Sequence, residues 1–268
     1  GVGDRITRAM ADAARLLDGA DQRVEEALVA SASAGPGDLA DVCRQILEAG
    51  GKRIRPAICL LAFRAARGEG DPPVDIAASC ELLHNATLLH DDVIDEGDVR
   101  RGRPAARVVW SNAVSILGGD YLLVKCVEVV GARGARFLAP FTETLHRLVA
   151  GEVTQLGLRG STRGTVADYF RIVEGKTASL FSWSARAGAL AAGAGDGACG
   201  RLAEFGWHVG TAFQLVDDAL DFSADEAALG KSLLADIGQG KLTLPVLLAA
   251  ERDGAVRELL ARLAGDAE

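Results

Sequence analysis

Two short acidic stretches hold the residues best suited to chemistry. One is His90-Asp91-Asp92-Val93-Ile94-Asp95, the other Asp217-Asp218-Ala219-Leu220-Asp221. In each, the first and last aspartates are four apart, so on a helix they share a face. Like charges at that spacing weaken a helix by about 0.2–0.5 kcal/mol per pair. Each cluster also follows an apolar run, Ala86-Thr87-Leu88-Leu89 and Ala212-Phe213-Gln214-Leu215-Val216, which places it at a helix C-terminus, where the dipole disfavours anions. A bound cation offsets both costs. Carboxylate oxygens without accompanying His or Cys ligands suit hard cations, Mg²⁺ ahead of Ca²⁺ or Zn²⁺. Mg²⁺ is usually held by a few carboxylates together with substrate phosphate oxygens and water. Two facing clusters would therefore clamp a diphosphate. A solvated acidic helix end explains one such cluster better than two.

The basic residues fall into matching places. Gly50-Gly51-Lys52-Arg53-Ile54-Arg55-Pro56 sets three cations in a turn opened by glycines and closed by proline. Glycine lets the backbone approach a ligand closely. Arg55 can offer phosphate a two-pronged contact, and Lys52 a point charge. Arg100-Arg101-Gly102 follows the first acidic cluster, Gly230-Lys231 and Gly240-Lys241 follow the second, and Lys176-Thr177 stands alone in a helical stretch. The chain as a whole carries a formal charge of −8. An acidic chain is a poor general binder of nucleic acid or anionic membrane, so an anionic substrate must be held by local cations or metal.

The elements that must position these residues read as helices. Aromatics are 5% of the chain and prolines number 7, a balance that favours helix over sheet. Apolar spacing near three and four predicts helix over 4–32, with a turn at 33–38. Further helices are expected over 39–49, 74–96, 106–131, 135–157, 165–192, 198–223 and 241–263, with a long apolar run over 56–66 and a charged loop over 97–104. No strand-like alternation, repeat or low-complexity linker interrupts them, so residues 1–268 read as a single domain. No run of about 18 apolar residues suggests a membrane span. The opening residues lack the apolar core of a secretion signal. Cys43, Cys59, Cys80, Cys126 and Cys199 are odd in number and lack C-x-x-C spacing, which fits buried free thiols in a reducing cytoplasm.

The motifs, taken in order, resemble the trans-isoprenyl diphosphate synthase, or polyprenyl synthetase, family. They are GGKRIRP at 50–56, LLHDDVIDEGDVRRGRP at 88–104, EGKTASL at 174–180, GTAFQLVDDALDF at 210–222 and LGKSLLADIGQGKLTLP at 229–245. The resemblance runs from about residue 40 to about 250. It implies an all-α fold of antiparallel helices around a deep central cavity, in a homodimer. It implies that Asp91, Asp92, Asp95, Asp217, Asp218 and Asp221 surround three Mg²⁺ ions on an allylic diphosphate, with Asp91, Asp95 and Asp217 as direct ligands. Arg100, Lys176, Lys231 and Lys241 would contact that diphosphate. Lys52, Arg55, His84 and Arg101 would hold isopentenyl diphosphate, and Thr177 and Gln214 would lie near the reacting carbons. His90 reads as structural.

The implied reaction is head-to-tail condensation of isopentenyl diphosphate with a dimethylallyl, geranyl, farnesyl or geranylgeranyl diphosphate, giving a linear polyprenyl diphosphate that would pass to membrane enzymes. In this family the residue five before the first aspartate gates the hydrocarbon tunnel. Here it is Ala86, beside Thr87, with Leu83 and Ser79 one and two turns earlier on the same face. A small residue there leaves the tunnel open, as in medium- and long-chain, octaprenyl-type enzymes. Family members usually continue with further helices, so the C-terminal helices are expected to be missing or shortened. The stretch 232–236 is also more apolar than the family's loop. The alternatives are a short-chain farnesyl or geranylgeranyl diphosphate synthase, a class I terpene cyclase, a metal phosphohydrolase using His90-Asp91, and a non-catalytic prenyltransferase subunit. A cyclase would carry a different second metal motif, a phosphohydrolase would need more histidines than His84, His90, His146 and His208, and a regulatory subunit would have lost its acidic clusters.

Overall fold

The computed structural model describes residues 2–17, 19–223, 235–238 and 240–265. Their regular structure is helical apart from one pair of two-residue strands. The chain divides into two compact units, 1–142 with 180–206, and 143–179 with 207–268.

In the first unit, α1 (Val2–Leu17) and α2 (Ala20–Ser33) replace the single helix expected over 4–32. The break falls at Gly19, whose φ of 76° a side chain would resist. α3 (Asp38–Glu48) and α4 (Ile54–Ala65) flank the basic turn, and α5 (Val74–Ile94) follows Pro72-Pro73. α5 packs against α2, α4 and most extensively α7 (Asn112–Ala132). Its residues 76–83 are all buried, so its apolar character runs round the helix, as a central helix requires.

The loop expected over 97–104 contains a hairpin, β1 (Val99–Arg100) paired antiparallel with β2 (Arg103–Pro104). Arg101 and Gly102 both take positive φ (51° and 74°), the backbone that matches the twist of a tight hairpin. The helix expected over 106–131 is split into α6 (Ala106–Val109) and α7. Ser111 is extended between them, and its side chain accepts from the Val114 amide at 3.1 Å, which starts α7 afresh. α8 (Ala135–Leu158) and α10 (Ser179–Ala191) each span the division between the units in sequence, as does α11 (Asp196–Ser223).

In the second unit, α9 (Val166–Val173) starts with a reciprocal cap. Asp168 N–H donates to Thr165 Oγ1 at 3.1 Å, and Thr165 N–H donates to Asp168 Oδ2 at 3.0 Å. A π turn, Glu174–Ala178, leads from α9 towards α10. Such turns recur at functional sites, and this one holds Lys176 and Thr177. The chain then shows α12 (Ala235–Gly238), α13 (Leu244–Arg252) and α14 (Gly254–Gly265). The last two replace the expected helix over 241–263. Asp253 breaks it, extended at φ −131°, and its carboxylate accepts from the Ala255 amide at 2.9 Å. Tyr169, Val173 and Leu247 form the buried core here, covered by Val166, Phe170, Leu215, Leu242 and Leu244. No described helix is long and apolar enough to cross a membrane.

Candidate active site

The first acidic cluster closes α5. Asp91 and Asp92 lie in its last turn and Asp95 caps it. Asp91 and Asp95 are half-buried, whereas Asp92 is 1% exposed. Its Oδ1 accepts from Arg100 Nε at 2.9 Å and from the same guanidinium's Nη2 at 2.5 Å. Its Oδ2 is buried and has no hydrogen-bond partner among the described residues. Burial raises the Asp92 pKa, and Arg100 opposes the rise. A buried carboxylate with one oxygen unsatisfied is costly unless a further cation or donor reaches it.

His90 turns towards α7. Its Nε2 lies 3.1 Å from Asp120 Oδ1 and 3.2 Å from the Ile116 carbonyl. Gly119 makes room for the ring: a Cβ there would lie 2.4 Å from Nε2. His90 is thus a packing and hydrogen-bonding residue between α5 and α7.

The basic turn is built around Arg53, at φ 48°. Its Nε donates to Glu25 Oε1 at 2.5 Å and its Nη1 to Glu81 Oε1 at 3.1 Å, while Nη2 reaches Glu25 Oε2 at 3.1 Å and the Leu47 carbonyl at 2.8 Å. Burial pulls the Arg53 pKa down, but Glu25 and Glu81 outweigh it and the net direction is up. Arg53 therefore anchors the turn that presents exposed Lys52 and, in the first turn of α4, Arg55.

The Arg55 guanidinium lies 4.8 Å over the Phe181 ring, and its Nε is buried with no hydrogen-bond partner among the described residues. Burial pulls its pKa down to about 10, with Glu81 opposing and Arg101 adding to the fall. Arg101 is lowered by burial and by Arg53 and Arg100, against Glu81, and its Nη1 donates to the Gly50 carbonyl. His84 is held well below its ordinary range, first by burial and then by Arg55, Arg101, Arg100 and Arg53. It is neutral at pH 7. Arg53, Arg55, Arg100 and Arg101 thus crowd around one imidazole; buried Glu81 moderates Arg53, Arg55 and Arg101, and buried Asp92 holds Arg100. An anion would relieve that crowding.

In the second unit the π turn approaches α8 at backbone distance. A Cβ on Gly175 would lie 2.7 Å from the Arg147 carbonyl oxygen and 2.8 Å from Gly151 Cα. That approach brings Lys176 Nζ to Gln155 Oε1 at 2.7 Å and into an ion pair with Glu152. Thr177 Oγ1 donates to Gln214 Oε1 at 2.9 Å. Gln214 Nε2 in turn donates to Asp218 Oδ1 at 2.8 Å, and the Tyr169 hydroxyl donates to Asp218 Oδ2 at 2.6 Å. Asp218 and Asp221 are buried and Asp217 is half-buried, all three in the final turns of α11. Lys241 is half-buried in the segment before α13, and Lys231 lies outside the described residues. On α5, Ser79, Leu83 and Ala86 are buried; Thr87 is half-buried and donates to the His84 carbonyl at 2.7 Å.

Glu81, Arg53, Glu152, Gln155 and Tyr169 are additions to the residues expected from the motifs. Glu81 had a signal, as a lone acid within the apolar run Ser79–Leu83. Tyr169 had none. Among the described residues no three Asp, Glu, His or Cys side chains converge as a ready metal cage.

The Polyprenyl synthetase family profile matches residues 37–268. The chain belongs to that family. It is 38% identical over 249 residues to the octaprenyl diphosphate synthase of Haemophilus influenzae, covering 92% of this chain and 76% of that one. It is 42% identical over 205 residues to the Escherichia coli octaprenyl diphosphate synthase, covering 76% and 64% respectively. Among solved structures, a polyprenyl synthase from Caulobacter crescentus complexed with calcium and isoprenyl diphosphate aligns with a TM-score of 0.85 at 33% identity, over 95% of this chain and 85% of that one. The all-helical fold and the prenyltransferase class expected from the motifs agree with these relatives.

Proposed function

We propose that this polyprenyl synthetase joins isopentenyl diphosphate to an allylic diphosphate, head to tail, and extends a linear polyprenyl diphosphate to medium or long chain. The observation that carries the reading is the first carboxylate cluster, whose buried Asp92 is clasped by Arg100, one of a crowded group of cations. Asp91, Asp95 and Asp217 are half-open, while Asp92 and Asp218 are held by protein donors. The half-open carboxylates would ligate metal directly, and Asp92, Asp218 and Asp221 would act behind them. The donor set is all carboxylate, and the unsatisfied Asp92 Oδ2 fits a nearby cation. Mg²⁺, three ions in this reading, would neutralise charge on the departing diphosphate.

Arg100, Lys176, Lys231 and Lys241 would contact the allylic diphosphate. Lys52, Arg55, Arg101 and neutral His84 would receive isopentenyl diphosphate, whose charge offsets the mutual repulsion of the arginines. These residues hold the isopentenyl double bond beside the allylic carbon, and alignment of that kind supplies much of the rate. The allylic C–O bond breaks with its electron pair leaving on diphosphate. The double bond attacks the cation so formed, and the proton lost from the new cation passes to the released diphosphate. Thr177 and Gln214 flank the reacting carbons.

Small Ala86, with Ser79 and Leu83 below it, would leave room for a long product, and the octaprenyl synthases among the relatives support that length. On α7, Ile116, Leu117, Val124 and Val127 are exposed, and a second copy of the chain would cover them. All five cysteines are unpaired, which suits a reducing cytoplasm.

The test is incubation with Mg²⁺, labelled isopentenyl diphosphate and dimethylallyl, geranyl, farnesyl or geranylgeranyl diphosphate, with chain-length analysis of the product. A linear polyprenyl diphosphate is expected. A cyclic hydrocarbon would assign the chain to terpene cyclisation, and binding without turnover to a non-catalytic subunit.

A further inference from the structure

We propose that Tyr169 is a positioning residue for the second acidic cluster: its hydroxyl fixes the Asp218 carboxylate and, through Gln214, sets the direction of the Thr177 hydroxyl. The inference rests on the reading of that cluster as part of a metal-dependent diphosphate site. Tyr169 is buried, with its ring in the apolar core of the second unit and edge-on to Phe170 at 5.4 Å between centroids. Its hydroxyl leaves that core to meet Asp218 Oδ2 at 2.6 Å, the short range of a hydrogen bond to an ionised acceptor. Packing alone needs only the ring; the hydroxyl is used on the carboxylate.

The direction of the chain follows from the acceptor. An ionised carboxylate can only accept. Asp218 receives Tyr169 on one oxygen and must therefore receive an N–H of Gln214 on the other. That places Gln214 Oε1 towards Thr177 and commits the Thr177 proton to it, so the remaining Oγ1 lone pairs can only accept. Two neutral donors thus orient the carboxylate that would face a metal ion. Asp92 differs, since its charge is already shared with Arg100.

The test uses the full chain and two variants, Tyr169→Phe and Asp218→Asn. Each protein is saturated with inorganic diphosphate and titrated with Mg²⁺ in a calorimeter, and Tm is recorded in parallel. Loss of one charge-assisted hydrogen bond is expected to raise the half-saturating Mg²⁺ concentration of Tyr169→Phe about tenfold. In the Asp218→Asn background the same change is expected to add little, because the group it orients has lost its charge. The proposal is overturned by an unchanged Mg²⁺ midpoint in Tyr169→Phe, with or without a fall in Tm, or by an equal loss in both backgrounds. If the unmutated chain binds diphosphate with no dependence on Mg²⁺, the metal reading of the cluster fails first, and the positioning role fails with it.

Discussion

The two acidic clusters share a spelling and differ in how each holds its middle aspartate. In the first, Asp92 is clasped by the Arg100 guanidinium, eight residues along the chain on a hairpin strand. In the second, Asp218 is held by a phenol and an amide, the phenol coming from α9, forty-nine residues away. The Arg100 clasp brings a positive charge to its carboxylate, whereas the phenol and the amide bring none. The same Asp-Asp-x-x-Asp motif therefore carries two unequal sets of donors.

The largest expected effect removes the half-open carboxylates. Asp91→Ala and Asp217→Ala should each abolish elongation while circular dichroism and Tm show an intact fold; unchanged turnover in either would contradict the assignment. The next tests the clasps directly. Arg100→Leu leaves a buried carboxylate without its partner and should cost about 2–5 kcal/mol of stability, nearer the lower end because Arg100 is partly exposed. Tyr169→Phe should cost about 1–3 kcal/mol, since the amide of Gln214 remains. Equal losses in urea titrations would erase the distinction between charged and neutral clasps.

A smaller effect concerns pH in the first unit. The folded pKa of His84 lies below its ordinary value near 6.5, so the unfolded chain binds the proton first as pH falls. Stability should thus be fully present above about pH 6.5 and decline as pH drops towards the folded pKa. His84→Gln should flatten that decline in stability curves measured from pH 7.5 to 5. The smallest effect is on outcome rather than rate: Ala86→Phe should shorten the product, and an unaltered length distribution would remove Ala86 from the gate.

Much of this arrangement is legible in the sequence because its signals are local. The i, i+4 aspartates, the Arg100-Arg101 pair just beyond and the glycine-opened basic turn all lie within short stretches. What was not legible depends on packing between distant helices. Arg53 reads like its neighbours Lys52 and Arg55, yet Glu25 and Glu81 convert it into the anchor of the turn. Tyr169 has no signal at all until α9 and α11 are side by side. Helix breaks at Gly19, Ser111 and Asp253 were missed where a capping residue or a left-handed backbone overrode an unbroken apolar pattern. The π turn at 174–178 depends on Gly175 meeting Gly151 of α8, a contact no local period encodes.

The most direct measurement is Mg²⁺-dependent binding of inorganic diphosphate by Asp91→Ala and Asp217→Ala, each compared with the unmutated chain. If the two clusters serve one metal-bound diphosphate, either substitution alone should remove most of the Mg²⁺-dependent heat. Retention of the full Mg²⁺-dependent signal in either variant would show that its cluster takes no part, and would contradict the account.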